Sequence, residues 1–242
     1  MIKVILNGAA GRMGKEVEKC IRSDSDLELV CRVDKFGADE GCLESLSCFD
    51  GEADVIIDFS HHSATAELLN WAVSRNIPVL IATTGQTDEE TEQINRASEK
   101  IAVFRSANMS LGVAVLANLA KKAASAMPDA DIEIVETHHN RKLDAPSGTA
   151  LLLAKAIQTV RSKASLVFGR SGKREKDEIG ICSVRRGNIV GIHEILISTD
   201  NETLTLKHEA HSRVLFADGA VVAAKFLAGK PAGLYCMNDI IG

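Results

Sequence analysis

The chain of 242 residues has no apolar run near the roughly twenty residues needed to cross a bilayer. It also has no C-x-x-C pair, no internal repeat and no low-complexity tract. The first absence excludes a membrane-spanning helix. The opening segment, Met1 to Asn7, is too short an apolar stretch for a secretory signal. A soluble, cytoplasmic chain is therefore expected, with no membrane partner. Cations are not in surplus either: 28 Lys and Arg stand against 33 Asp and Glu, a formal net charge of −5. Phosphate backbones demand the opposite balance, so nucleic acid is not expected as a partner. The six cysteines, at 20, 31, 42, 48, 182 and 236, form no zinc-ligand spacing with histidines. No metal is expected, and the cysteines read as reduced thiols, most of them small hydrophobes inside strands or helices. What is present, 45% hydrophobic and 25% charged residues, suits one large domain or two modest ones. A chain of this length buries a core without disulfides or metal.

The first half alternates strand and helix patterns. Residues 2–7 form a short β-branched run, followed by Gly8, Gly11 and Gly14 and a helix-like segment to about Arg22. Strand, glycine turn and helix together suit a dinucleotide pyrophosphate held on backbone N–H groups at the helix N-terminus. The spacing is G-x-x-G-x-x-G, and a glycine turn kept for packing explains it too. A second strand ends at Asp34, twenty residues past Gly14, where such folds place an acid on the adenosine ribose. Lys35 follows at once, and a cation there suits a ribose 2′-phosphate, so both NADH and NADPH are candidates. Further strands are expected at 53–59, 77–82 and 101–104, with helices at 63–75 and 88–100. Strand runs with few polar interruptions, spaced by helices, make a parallel sheet covered on both faces. Its ligand lies beyond the strand C-terminal ends. This half reads as a Rossmann-type domain.

After a long apolar helix over 110–127 the pattern changes. Strands are expected at 131–137, 180–186, 190–198 and 202–210, with Arg186, Gly187 and Asn188 as a hairpin turn between the second and third. Strands in succession imply a mixed, largely antiparallel sheet, hence an α/β chain with a second α+β domain. Residues 169–178 have no apolar face and read as a mobile, solvated loop. A helix over 214–227 follows. The expected division is 1–109 with about 214–242 as the dinucleotide-binding domain, and 110–213 as the substrate-binding and oligomerisation domain.

The stretch 136–150 carries the most chemistry: His138, His139, Lys142 and a Ser147, Gly148, Thr149 turn between a strand and a helix. Along a strand His138 and His139 point to opposite sides. Asp144 or Ser147 suits a helix cap and Pro146 its first turn. A helix N-terminus with hydroxyl donors is a carboxylate or phosphate site. Two histidines and a lysine beside it suit proton transfer to a small acidic substrate. His61, His62, His193, His208 and His211 are scattered and read as structural or surface residues, although His61 and His62, on a strand-end loop, also suit a cofactor contact.

The motif E-x-H-H-x-x-K-x-D-x-P-S-G-T-A over 136–150 resembles the 4-hydroxy-tetrahydrodipicolinate (dihydrodipicolinate) reductase family. So do the 8–14 turn, Asp58 to Ser60, Thr83 to Gly85, Ser106 to Ser110 and Arg186 to His193, in family order over nearly the whole chain. The resemblance implies NADH- or NADPH-dependent reduction of 4-hydroxy-tetrahydrodipicolinate to tetrahydrodipicolinate, in the diaminopimelate route to lysine. It implies hydride transfer from nicotinamide C4 to substrate C4, His138 in an acid/base role and Lys142 as proton donor. His139, Gly148 and Thr149, with Ser147 nearby, would hold the dicarboxylate. Gly8, Ala9, Ala10, Gly11, Arg12, Met13, Asp34, Lys35, Ala82, Thr83, Thr84, Ser106, Ala107, Asn108 and Met109 would bind cofactor. A homotetramer built through the second domain's sheet is implied as well. The family more often has Gly where Ala82 stands, and commonly a polar residue where Val222 stands. Read without the resemblance, the residues also suit another NAD(P)-dependent dehydrogenase of a small acidic substrate, or a nucleotide-sensing module without turnover.

Overall fold

The computed structural model describes residues 1–36 and 41–242. In chain order the first elements are β1 (Ile2–Asn7), α1 (Arg12–Ser23), β2 (Leu27–Val33), β3 (Cys42–Leu43) and β4 (Val55–Asp58). Then come α2 (Thr65–Arg75), β5 (Val79–Ile81), α3 (Asp88–Ser98), β6 (Ala102–Arg105) and α4 (Leu111–Ala126). The remainder is β7 (Asp131–His138), α5 (Gly148–Gln158), β8 (Ser165–Phe168), β9 (Glu178–Arg185), β10 (Gly191–Ser198), β11 (Thr203–Ala210), α6 (Val214–Leu227), β12 (Gly233–Tyr235) and α7 (Met237–Ile241). The chain divides into two compact units, Met1–Ser110 with Val214–Gly242, and Leu111–Arg213.

In the first unit the strands lie in the order β12-β6-β5-β4-β1-β2-β3, every pairing parallel. Val4, Ile5, Leu6, Val55, Ile56, Ile57, Val79, Leu80 and Ile81 have no exposed surface. Strands buried on both faces need apolar residues at consecutive positions, which is why these runs do not alternate. Thr87 caps α3 by accepting from the Glu90 N–H, while the Glu90 carboxylate accepts from the Thr87 N–H. That reciprocal box, with three acids in the first turn, fixes where the helix begins. The Rossmann-type sheet is as expected, with two additions. β3 and β12, of two and three residues, extend its edges and are too short to show a periodicity. β12 adds to β6 and brings the chain end back to this sheet.

The second unit holds a mixed sheet in the order β11-β10-β7-β9-β8. β7 pairs antiparallel with β10 and parallel with β9; β10–β11 is antiparallel and β8–β9 parallel. Its antiparallel character is thus confined to one half. The expected hairpin at 186–188 does not form, because β7 lies between β9 and β10. Residues 186–190 instead cross the end of β7, where Arg186 N–H donates to His138 O, His139 N–H to Ile189 O and Asn140 N–H to Gly187 O. A turn signal fixes a bend but not which strands pair across it. One face of the sheet is covered by α4 and α5, whose Leu116, Ala120, Leu153 and Ile157 pack on Ile132, Ile134, Ile181, Ile195 and Ile197. Each buried isoleucine there stabilises by roughly 1.5–3 kcal/mol.

The polar segment after β8 is exposed at most of its positions, as a solvated loop would be, but two of its arginines anchor it. Arg170 and Arg174 reach back to Glu133 on β7, each at 2.6 Å, and Arg170 also pairs with Glu178. Gly180 makes room for this: a Cβ there would lie 1.8 Å from Glu133 Oε2. Among the cysteines only Cys31 is buried; Cys48 and Cys182 are exposed and the rest half-buried, so most are not core hydrophobes. No disulfide joins any of the six.

Candidate active site

In the first unit the turn after β1 is shaped by packing. Gly8 has φ +79°, and a Cβ on it would lie 2.6 Å from the Phe59 carbonyl. A Cβ on Gly14 would lie 2.1 Å from Gly8 O. Those two glycines are demanded by the fold itself. The N–H groups of Gly8 and Ala9 donate to Val33 O, that of Ala10 to Asp34 Oδ2 at 3.0 Å, and that of Gly11 to Gly8 O. Gly11 is the N-cap of α1 and brings no side chain to it, and no acid stands in the first turn. Helix geometry leaves the N–H groups of Arg12 and Met13 without helical acceptors, at the positive end of the helix dipole. These groups fit a pyrophosphate.

Asp34 lies in the wall of a cavity of about 360 Å³ lined also by Gly8, Gly11, Lys35, Ser60 and His61. Its second oxygen accepts from the Phe36 N–H at 3.0 Å. A carboxylate and an ammonium on one wall fit the ribose end of either nicotinamide cofactor. Behind the strand ends sits Asp58, 2% exposed, accepting from Asn7 Nδ2 at 2.8 Å, Thr83 Oγ1 at 2.7 Å and Ser60 Oγ at 2.6 Å. Burial raises its pKa, and those hydrogen bonds oppose the rise. It ties the loops after β1, β4 and β5 together and holds Thr83 inward, while Thr84 is exposed. Ala82 donates its N–H to Asp58 O at 3.0 Å. In the 106–109 loop, Ser106 Oγ donates to Asn108 O at 2.7 Å, Met109 is buried and Ala107 exposed.

In the second unit the β7 register gathers a different set. Glu136 lies opposite His193 on β10 and Ser183 on β9, and His138 lies opposite Arg185. Residues directly paired across strands share a face, so all of these project to the side covered by α5. Glu136, with no exposed surface, accepts from His138 Nδ1 at 2.5 Å and from both Arg185 terminal nitrogens at 2.7 and 2.9 Å. Its Oε1 also accepts from the Ser147 N–H at 3.2 Å. Burial alone would raise the Glu136 pKa, but the bonds from His138 and Arg185 outweigh it and hold the carboxyl well below its usual range. An ionised carboxylate only accepts, so His138 donates from Nδ1 and its exchangeable proton sits at Nε2.

His193, 4% exposed, shares a hydrogen bond with Ser147 Oγ at 3.1 Å, and its ring meets His138 edge-on at 5.2 Å between centroids. Burial, then the neighbouring His138, pushes its pKa down to about 4, so it is neutral near pH 7.

Ser147 is the N-cap of α5, accepting from the Ala150 N–H at 3.1 Å. The helix starts at Gly148, so the cis Ala145–Pro146 bond lies before the cap and not in the first turn. Asp144 does not cap; it takes the Lys142 ammonium at 2.8 Å. Gly148 is exposed with nothing within 4 Å of a Cβ position, and Thr149 beside it is half-buried. His139 is half-buried, and burial together with Arg141 and Arg213 lowers its pKa. A helix end without acids, next to a fixed imidazole and a lysine, offers an anion cradle beside two proton carriers.

The second unit therefore brings His138, Ser147, Gly148 and Thr149 together with Glu136 and Arg185, to which the sequence reading gives no role, and His193, which it reads as structural or surface. Glu136 had a legible signal, being two positions before His138 on one strand and so on the same face. Arg185 and His193 had none, since their nearness depends on strand pairing. His61 and His62 also make local contacts, although His61 lines the cavity beside Asp34. His61 caps a short turn by accepting from the Ser63 N–H, and His62 pairs with Glu90 at 3.0 Å.

Residues 2–109 match the family profile described as dihydrodipicolinate reductase, N-terminus, and residues 112–241 match the one described as dihydrodipicolinate reductase, C-terminus. The chain belongs to the dihydrodipicolinate reductase family. It is 48% identical over 247 residues to the 4-hydroxy-tetrahydrodipicolinate reductase of Caldanaerobacter subterraneus subsp. tengcongensis, covering 100% of this chain and 98% of that one. To the reductase of the same name from Clostridium novyi it is 43% identical, covering 100% of this chain and 98% of the relative. Among solved structures it is similar to a dipicolinate-bound dihydrodipicolinate reductase from Paenisporosarcina sp. TG-14, with TM-score 0.85 and 27% identity over 98% of this chain and 97% of that one. Membership in this reductase family favours an NAD(P)H-dependent reductase of a small dicarboxylate over a non-catalytic nucleotide sensor.

Proposed function

We propose that this chain reduces 4-hydroxy-tetrahydrodipicolinate to tetrahydrodipicolinate with NADH or NADPH, as a step of lysine biosynthesis by the diaminopimelate route. The observation that carries the reading is the Glu136–His138 pair beside the Ser147-capped start of α5. The bound cofactor supplies the hydride, from nicotinamide C4 to substrate C4. One hydride and one proton enter and one water leaves. Lys142 donates a proton once it leaves Asp144, and His138 Nε2 handles the accompanying acid/base transfer. His139 and the N–H groups and hydroxyl at Gly148 and Thr149 hold the substrate carboxylates. The Ser147 hydroxyl already serves Ala150 and His193, so its part is to fix the helix end. On the cofactor side, Arg12 and Met13 offer N–H groups to the pyrophosphate across the turn built by Gly8, Ala9, Ala10 and Gly11. Asp34 and Lys35 take the ribose end, and the loops Ala82 to Thr84 and Ser106 to Met109 border the nicotinamide half. The reading includes a cytoplasmic homotetramer assembled through the face of the five-stranded sheet that α4 and α5 leave open. Val135, Cys182, Val184, Ile192 and Leu196 project to that face by strand alternation.

The test is oxidation of NADH and NADPH with substrate generated in the assay from pyruvate and aspartate semialdehyde. His138→Gln and Lys142→Ala should each lower turnover by about tenfold or more while NADH binding persists. Full turnover in both variants would remove the chemistry from this loop.

A further inference from the structure

The Glu136 carboxylate touches more of the second-unit cluster than any single donor does. Its Oε2 takes His138 Nδ1 and one Arg185 nitrogen, and its Oε1 takes the other Arg185 nitrogen and the Ser147 N–H. Arg185 in turn donates to Asp144 O at 2.7 Å, so the same guanidinium holds the loop between Lys142 and the helix cap. The charged or titratable neighbours of the His138 ring are Glu136 on its own strand, Arg185 from β9, His193 from β10 and the adjacent His139, while Lys142 bears electrostatically on His139 and His193. Of these only Glu136 brings negative charge into contact with the ring.

We propose that Glu136 and Arg185 are positioning residues that set the protonation of His138. Glu136 fixes its tautomer and stabilises the imidazolium, while Arg185 competes for the same carboxylate and limits that stabilisation. The proposal rests on His138 being the acid/base group. Arg185 fixes both carboxylate oxygens bidentately, so the ring and the start of α5 are held at one spacing by one buried anion. A buried Glu–Arg pair kept only for folding would leave the proton affinity of His138 immaterial. The two roles differ in what they do to a pH profile.

The experiment is the pH dependence of kcat/KM in the intact enzyme, with His138→Gln identifying the limb that belongs to His138 as the one it abolishes. Glu136→Gln keeps the volume and an acceptor but loses the charge, so that limb should move to lower pH by about one unit or more. Its kcat should fall about tenfold or more, with the KM for NADH unchanged. Arg185→Gln removes the competing cation, so the limb should move the opposite way, to higher pH. Opposite displacements support the proposal. An unmoved limb in Glu136→Gln, or displacements of the same sign, overturn it, whether or not the rates fall uniformly. If Glu136→Gln does not fold, judged by loss of a cooperative urea transition in circular dichroism, Arg185→Gln alone decides by the sign of its shift. Should His138→Gln keep both limbs and full turnover, the assignment of His138 itself falls, a result distinct from a failed shift in a His138-dependent enzyme.

Discussion

His193 is neutral in the folded chain because burial removes the water that would solvate an imidazolium and His138 adds like charge. Unfolded, the same ring titrates near 6.5; folded, near 4. Between those values the unfolded chain binds the extra proton, so stability is full above pH 6.5 and is lost as pH falls towards 4. The whole gap is worth on the order of 3 kcal/mol. Glu136 acts in the next window down, its depressed carboxyl costing stability once pH falls below about 4.5, its usual value. Urea midpoints measured from pH 7 to pH 4 should therefore decline in the wild type and decline less in His193→Gln. Parallel curves for the two proteins would contradict a buried neutral ring.

At the scale of elements, α5 depends on one hydroxyl. Ser147→Ala removes the bond from the Ala150 N–H and the partner of His193 Nε2, and should cost about 1–2 kcal/mol. Because the same residue sets where the helix begins, the KM for the dicarboxylate should rise while that for NADH stays put. A drop in stability with both KM values unchanged would separate the cap from the site. How much of this was legible varied with length and locality. β1, β4 and β5 were readable because runs such as Val55 to Ile57 are apolar at every position, and α6 because its apolar stretch is bounded by Arg213 and Gly229. β3, β8 and β12 were not: they are edge strands with no buried apolar run to mark them. The turn residues at Gly187 fix a bend, while the insertion of β7 between β9 and β10 decides which strands pair. Likewise the cations at 170 and 174 looked solvated because Glu133, their partner, lies some forty positions away. Local chemistry was visible; long-range pairing was not.

For the whole molecule, one face of the second sheet is sealed by α4 and α5, while the other carries a stripe of apolar side chains beside charged ones such as Glu194 and Lys207. If that stripe joins four copies, light scattering should give a tetramer mass for the wild type and a smaller species for Leu196→Glu. A wild-type monomer at micromolar concentration would dismiss the assembly.

β7 is translated before its two neighbours, yet it ends up between them. A nascent chain that has emerged through α5 already carries His138 and Lys142, but neither Arg185 nor His193. Those arrive with β9 and β10, 47 and 55 positions after His138, so the imidazole acquires its surroundings in one late, long-range step. The ordering also marks a point of vulnerability. Proteolytic nicking between Arg185 and Gly191 severs the only covalent link between the two flanking strands. Chemistry should then fail while the parallel sheet of the first unit still holds its nucleotide.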